Sequence, residues 1–252
     1  MITRDYATFT TSAADDNAYL ALKDVAEVTA DLEDTRVVGG VMVSLLCEAF
    51  PVPGNISRRT ADVDTALSVR IADSGELHSR LIAAGYQAEK ANRYRAGLRV
   101  VDLLVPSGNE KFETSEHAER VFDSAPGLML ALDAAPIEHH LDVTMIDGSI
   151  IRLTVRTPSV EHAVILKAYA TKSRTAGKDY VDLYNLLLIA HAYEAHEIGG
   201  WRLDEAEAKG ARKDARRNLL QLADSHTLRT VLNGTGVPVP QFTQLIRRYV
   251  GE

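Results

Sequence analysis

Near Thr157-Pro158 the hydrophobic pattern changes its period, and few folds accommodate such a change. Upstream, apolar residues recur at two-residue spacing in short runs interleaved with helical stretches. Thr35–Val38 reads as a short buried strand. Residues 62–71 read as a strand with Val63, Thr65, Leu67, Val69 and Ile71 on one face. Residues 86–94 and 98–105 suggest a hairpin about Ala96-Gly97. Residues 140–146 and 149–155 flank Asp147-Gly148, a pair that tolerates positive φ at both turn positions. Helices are expected over 16–32, 41–50 and 74–84, the last stopped by Gly85. Downstream, Ser159 is the expected N-cap of a helix reaching about Arg174. Further helices follow over 178–196, 204–223 and 240–249. The pattern predicts an α+β chain: a mixed β-sheet flanked by helices in residues 1–157, then a helical C-terminal domain in residues 158–252.

A chain of 252 residues, 46% hydrophobic and 25% charged, can bury one large core or two modest ones and is not disordered in bulk. Its single cysteine, Cys47, excludes a disulfide framework or a cysteine-built zinc site, and its apolar setting reads as a buried thiol. No apolar run is long enough to span a bilayer, and residues 1–6 lack the basic region of a secretion signal. A cytoplasmic protein with no membrane partner is expected. The formal net charge of −7 disfavours indiscriminate binding to nucleic acid. The charge is uneven, however. From Trp201 onward nine Lys/Arg meet six Asp/Glu, so that segment carries +3 and the remainder −10.

Three aspartates stand out. Asp62 and Asp64 begin a strand two positions apart and therefore share a face. Two neighbouring carboxylates repel, and a divalent cation relieves the conflict; magnesium is held by one or two carboxylates plus substrate phosphates. Asp102 interrupts an apolar strand, where an unpaired charge is costly. If the two strands are neighbours, the three carboxylates converge on one or two metals, or Asp102 acts as general base. An isolated Asp-x-Asp is more often a solvated pair at a strand edge. What shifts the balance is Asp102 together with Gly39-Gly40, which stands between a strand and a helix where a phosphate can approach the backbone.

Strand, Gly-Gly, helix, Arg58-Arg59-Thr60-Ala61-Asp62-Val63-Asp64 and then Val101-Asp102-Leu103 together resemble the polymerase-β-type nucleotidyltransferase superfamily. Within it the chain looks most like the AbiEii/MenT group, nucleotidyltransferase-like toxins of bacterial toxin–antitoxin pairs. The Arg58-to-Asp64 run, the stretch from Leu166 to Arg174 and Lys178-Asp179-Tyr180-Val181-Asp182-Leu183 carry that likeness over roughly residues 36–188. The chain departs from the pattern in having Gly40 in place of a serine, and in a long Gly40-to-Asp62 interval with Pro51, Pro53 and Gly54. The resemblance implies a magnesium-dependent enzyme with an NTP as co-substrate. Asp62, Asp64 and Asp102 would be its metal ligands and, with Lys167, its catalytic residues. Gly39, Gly40, Arg58, Thr60, Lys167, Arg174, Lys178 and Asp179 would contact the nucleotide. It further implies a tRNA 3′ end as acceptor and a cognate antitoxin as partner.

If residues 159–178 form one helix, Lys167, Thr171, Arg174 and Lys178 make a basic stripe on one face, suited to a triphosphate. A solvated face is the plainer alternative. The cluster Lys209, Arg212, Lys213, Arg216 and Arg217 can hold an RNA backbone or lie on an ordinary solvated helix. His139, His140 and His162 with Glu161 lack metal-site spacing. Two other functions stay open: transfer to a small aminoglycoside-like molecule or a protein hydroxyl, and a catalytically silent binding module.

Overall fold

The computed structural model describes all residues except Ala91, Glu110, Thr175 and Glu252. The fold is α+β, with mixed sheets flanked by helices and a helical C-terminal region. Strand β1 (Ile2–Phe9) precedes helix α1 (Ala13–Val28), whose N-cap Ser12 accepts from the Asp15 amide. Strand β2 (Thr35–Val38) then runs straight into α2 (Gly39–Ala49). Strand β3 (Asp62–Leu67) follows a long loop and leads to α3 (Val69–Ser74) and α4 (Glu76–Ala83). Next come β4 (Gln87–Lys90), β5 (Arg93–Ala96), β6 (Arg99–Pro106), β7 (Glu113–His117), β8 (Arg120–Ala125) and α5 (Leu128–Asp133). Strands β9 (Ile137–Thr144) and β10 (Ile150–Thr157) lead to the helices α6 (Val160–Ser173), α7 (Gly177–Ala192), α8 (Gly210–Ala223), α9 (Leu228–Val231) and α10 (Val239–Val250).

Strand β6 organises the larger sheet. One edge pairs parallel with β3; the other takes β5 antiparallel along its first half and β8 parallel along its last residues. Strands β2 and β4 extend the sheet on either side, and β7 pairs with β8. A separate three-stranded sheet has the order β1-β9-β10, with β1 parallel to β9. One apolar cluster packs α1, Val37, Val63, Val101 and Leu103 together with Leu141 and Leu153. Another joins Met42 and Leu46 of α2 and Phe50 just beyond it to Val164, Leu186, Leu219 and Ile246 of the later helices.

Several expectations shift by local chemistry. The strand expected over 62–71 stops at Leu67, because Ser68 caps α3 by accepting from the Ile71 amide, and Val69 and Ile71 turn into that helix. The single run expected over 86–94 divides into β4 and β5, with Ala91 outside the described residues. The β5–β6 hairpin does form about Ala96-Gly97. Strands β9 and β10 pair across Asp147-Gly148, where the Asp147 carboxylate accepts from the Ser149 amide. Ser159 caps α6 as expected. Helix α8 starts at Gly210 and not at Asp204. Strands β1, β7 and β8 were not anticipated.

Candidate active site

The strand register brings the aspartates together. Asp64 lies directly across from Asp102 in the parallel β3–β6 pair, with Asp62 one step away on the same face as Asp64. Across the antiparallel β2–β3 pair, Val38 sits opposite Asp64, so the chain enters α2 at Gly39 beside that carboxylate. Gly39 has φ of +68°, and a Cβ there would lie 1.8 Å from Asp64 Oδ2. A Cβ on Gly40 would lie 2.5 Å from Arg58 Nη2 and 3.1 Å from Thr60 Cγ2. The space a side chain would need is thus already taken by Asp64 and by the loop before β3. The glycine pair admits these residues first; the N-terminus of α2, where Val38 supplies no side-chain cap, still opens on the cleft.

The cleft holds about 940 Å³. The residues that the resemblance assigns to metal and nucleotide all line it: Gly39, Gly40, Arg58, Thr60, Asp62, Asp64, Asp102, Lys167, Arg174, Lys178 and Asp179. The basic stripe is built differently from expectation. Helix α6 ends at Ser173, and Arg174 is extended (φ −146°, ψ 142°), so Lys167, Arg174 and Lys178 come from two helices and the link between them. Thr171 lies away from the lining; Thr175 falls outside the described residues.

On the helical side the charges are interlocked. Arg58 grips Asp182 with both arms of its fork, Nε–Oδ1 and Nη2–Oδ2 each 2.9 Å. Lys167 Nζ is 2.7 Å from Asp182 Oδ2 and 3.6 Å from Asp179 Oδ1. Arg174 holds Asp179 through Nε at 2.7 Å and Nη2 at 3.1 Å. Asp179, Asp182 and Lys167 are buried. Burial works against ionising Asp179, but Arg174 and Lys167 outweigh it and hold the carboxyl below its ordinary value. Asp179, Asp182 and Asn185 follow i, i+3, i+6 spacing on α7, which puts them on one face. Asn185 clasps both the amide and the carbonyl of Ile56 at 2.9 Å, so this face also fixes the loop before β3. Lys178 is exposed, and among the described residues no hydrogen bond or ion pair is recorded for it.

On the strand side the charges do not balance. Burial, then the neighbouring Asp62 and Asp102, push the Asp64 carboxyl up to about 6. Burial also opposes ionisation of Asp62, yet a 2.7 Å hydrogen bond from Thr60, with Lys178 and Arg93 nearby, leaves it below its ordinary value. Sequence reasoning missed Arg93. It stands opposite Asp102 on β5 and binds it with Nε–Oδ1 at 2.8 Å and Nη2–Oδ2 at 2.5 Å, while Nη2 is 3.8 Å from Asp62 Oδ2. Among the described residues no group of three or more His, Cys, Asp and Glu is arranged to hold a metal ion. The three aspartates share the cleft, but Asp102 has both oxygens engaged by Arg93. The donors Asp62 and Asp64 suit magnesium by themselves: two hard carboxylates on one face match its usual protein share.

Other sequence candidates lie elsewhere. Arg212 turns inward to buried Glu161, with Nη2–Oε2 at 3.0 Å; Arg216 donates to the Glu205 carbonyl, and Arg217 pairs with Asp214. Lys209, Lys213, Arg216 and Arg217 border a separate surface hollow that also contains Glu207 and Asp224. His139 is buried against Tyr6 and Thr157, whereas His162 packs against Ser159 and Arg212. Burial raises the half-buried Cys47 thiol to about 12. No helix among the described residues is long and apolar enough to cross a membrane.

No protein-family model matches the chain, and none of the curated proteins does. Among solved structures it is similar to the solution structure of the antibiotic-resistance factor ANT(2'')-Ia. The match has 13% sequence identity and a TM-score of 0.39, covering 71% of this chain and 85% of that one. A likeness at that level bears on neither activity nor substrate.

Proposed function

We propose that this protein is a magnesium-dependent nucleotidyltransferase, which moves a nucleotide from an NTP to an acceptor hydroxyl and releases pyrophosphate. One observation carries the reading: the β3–β6 register gathers Asp62, Asp64 and Asp102 in a cleft whose opposite wall bears Lys167, Arg174 and Lys178. Asp62 and Asp64 would hold the magnesium, which when bound neutralises and orients the triphosphate. Lys178 is positioned to contact phosphate directly. Arg174, largely exposed but tied to Asp179, adds a fork suited to phosphate oxygens. Lys167 stays within its buried network and contributes positive field. The α2 N-terminus offers backbone amides to the same anion. The acceptor oxygen forms a bond to the α-phosphorus as the bond to the β-phosphate oxygen breaks, and the hydroxyl proton is lost.

For the acceptor, the resemblance read from Arg58–Asp64 and Lys178–Leu183 supports a tRNA 3′ end, with action as a cytoplasmic toxin neutralised by an antitoxin. A second reading has its own support. The cleft continues past Phe112 to Glu113, Thr114, Asp123 and Ser124, where Glu113 and Asp123 accept from the side-chain amides of Asn109 and Asn92 and enter no ion pair among the described residues. Such a wall suits a small cationic, aminoglycoside-like acceptor, and the inward tie of Arg212 to Glu161 leaves less charge for an RNA backbone.

The test supplies each α-labelled NTP with magnesium and either total tRNA or an aminoglycoside. Label should pass to one acceptor class, and Asp62→Ala should stop the transfer. If none of the four NTPs labels tRNA, aminoglycoside or the protein, the nucleotidyltransferase reading fails. Charge reversal at the exposed Lys209 and Lys213 should weaken transfer and its salt dependence only if the acceptor is RNA.

A further inference from the structure

Arg93 is placed where a second cation would go. Its guanidinium caps both oxygens of Asp102 and lies 3.8 Å from Asp62, on the strand beside the one that carries Asp102. Asp64 faces Asp102 from the other side. The Arg93 side chain is 40% exposed, so it reaches these groups from the cleft and not from the core. Arginine remains charged at any ordinary pH, and its planar fork matches a carboxylate at two points. The fork takes one lone pair on each oxygen of Asp102, so a metal ion arriving there meets a resident positive charge.

We propose that Arg93 is the resident counter-ion of Asp102, and that it competes with a divalent cation for this carboxylate. The proposal rests on the nucleotidyltransferase reading for the identity of the cleft's ligands. Arg93 is thereby a positioning residue. Without nucleotide it keeps the third carboxylate neutralised, and Asp62 and Asp64 alone present a cation site. A bound triphosphate alters the competition: it brings negative charge to which a released guanidinium can turn. Full assembly of three carboxylates then depends on the nucleotide, and in its absence a metal rests on Asp62 and Asp64 alone.

The experiment measures Mn²⁺ binding to the purified full chain without nucleotide, by loss of the free-ion paramagnetic resonance signal. It compares wild type, Arg93→Gln, Arg93→Lys, Asp102→Asn and the double variant Arg93→Gln/Asp102→Asn. Arg93→Gln should bind Mn²⁺ at least about tenfold more tightly or gain a second site, since it removes the competitor. Arg93→Lys should show a smaller gain, because an ammonium cannot cap both oxygens. The double variant should lose the gain, showing that it acts through Asp102. Equal binding by wild type and Arg93→Gln overturns the inference and leaves the nucleotidyltransferase reading standing; so does a gain that survives in the double variant. If no protein binds Mn²⁺ at millimolar concentration, the cation site fails and takes the wider reading with it. Should Arg93→Gln not fold, Arg93→Lys decides alone: tighter binding supports the proposal, and unchanged or weaker binding overturns it.

Discussion

Two groups of charge share the cleft and are balanced differently. On the helical side three cations, Arg58, Lys167 and Arg174, enclose two buried carboxylates, Asp179 and Asp182, and every carboxylate oxygen has a partner. On the strand side three carboxylates meet one guanidinium, and Asp64 has no recorded hydrogen bond or ion pair among the described residues. A buried cluster that is closed on itself holds structure in place. One left short of positive charge is stable only with a raised carboxyl or an added cation. The difference separates the part of the site that frames from the part that waits for a ligand.

The sharpest way to break this comparison is to open the closed side. Asp182→Ala strands Arg58 and Lys167 and should cost about 3–5 kcal/mol in urea unfolding. A loss under about 1 kcal/mol would mean that the helical cluster frames nothing. Asp64→Asn should behave in the opposite manner. Nucleotide transfer should fall about 10²–10³-fold, while stability in metal-free buffer stays level or rises. Equal damage to stability and transfer would erase the distinction between the two sides.

Two groups, His162 outside the cleft and Asp64 within it, should also respond to pH with opposite sign. Burial holds His162, on α6, down to about 4, against 6.5 when unfolded. Between those values the unfolded chain binds more protons, so this contribution is present above about pH 6.5 and is lost as pH falls toward 4. Asp64 is pushed up to about 6 from 3.8. Here the folded chain binds more protons, so the contribution is present below about pH 4 and lost as pH rises through 6. Each amounts to about 3 kcal/mol at most, and in the wild type they oppose. In metal-free urea titrations at pH 4–7, Asp64→Asn should expose the His162 slope and His162→Gln the Asp64 slope. Parallel slopes in both variants would refute this account. The smallest effect is expected for Lys178→Ala, which should raise the KM for NTP about fivefold, roughly 1 kcal/mol, without altering stability. A stability loss comparable to that of Asp182→Ala would move Lys178 into the frame.

What could be read from the residues follows the same division. Asp62, Asp64 and the interrupted apolar run at Asp102 are conspicuous because burying like charges has no cheap local explanation. Asp147-Gly148 and Ser159 were legible because a turn and a cap are local chemistry. Arg93 was not: one arginine in a mixed run becomes meaningful only when register sets it opposite Asp102. Strand β1 alternates, but its partner β9 lies more than 130 residues away, and nothing in its own residues announces a parallel pairing. The β7–β8 turn uses Ala118 and Glu119 at positive φ, where glycine or asparagine would have given a signal. The basic run around Arg212 misled for the complementary reason: counting charges does not reveal that Glu161 has already claimed one of them.

The clasp of Asn185 on Ile56 also has a meaning in time. The loop that delivers Arg58 and Thr60 to the cleft is tied to groups 124 and 129 residues further along the chain. At about 5–20 residues per second, a ribosome needs roughly 6–26 s to make that stretch. Throughout that interval the aspartates and glycines already exist, but the segment between them has nothing to grip. During synthesis, therefore, the strand side of the cleft is made early and is completed late, once α7 has emerged and docked.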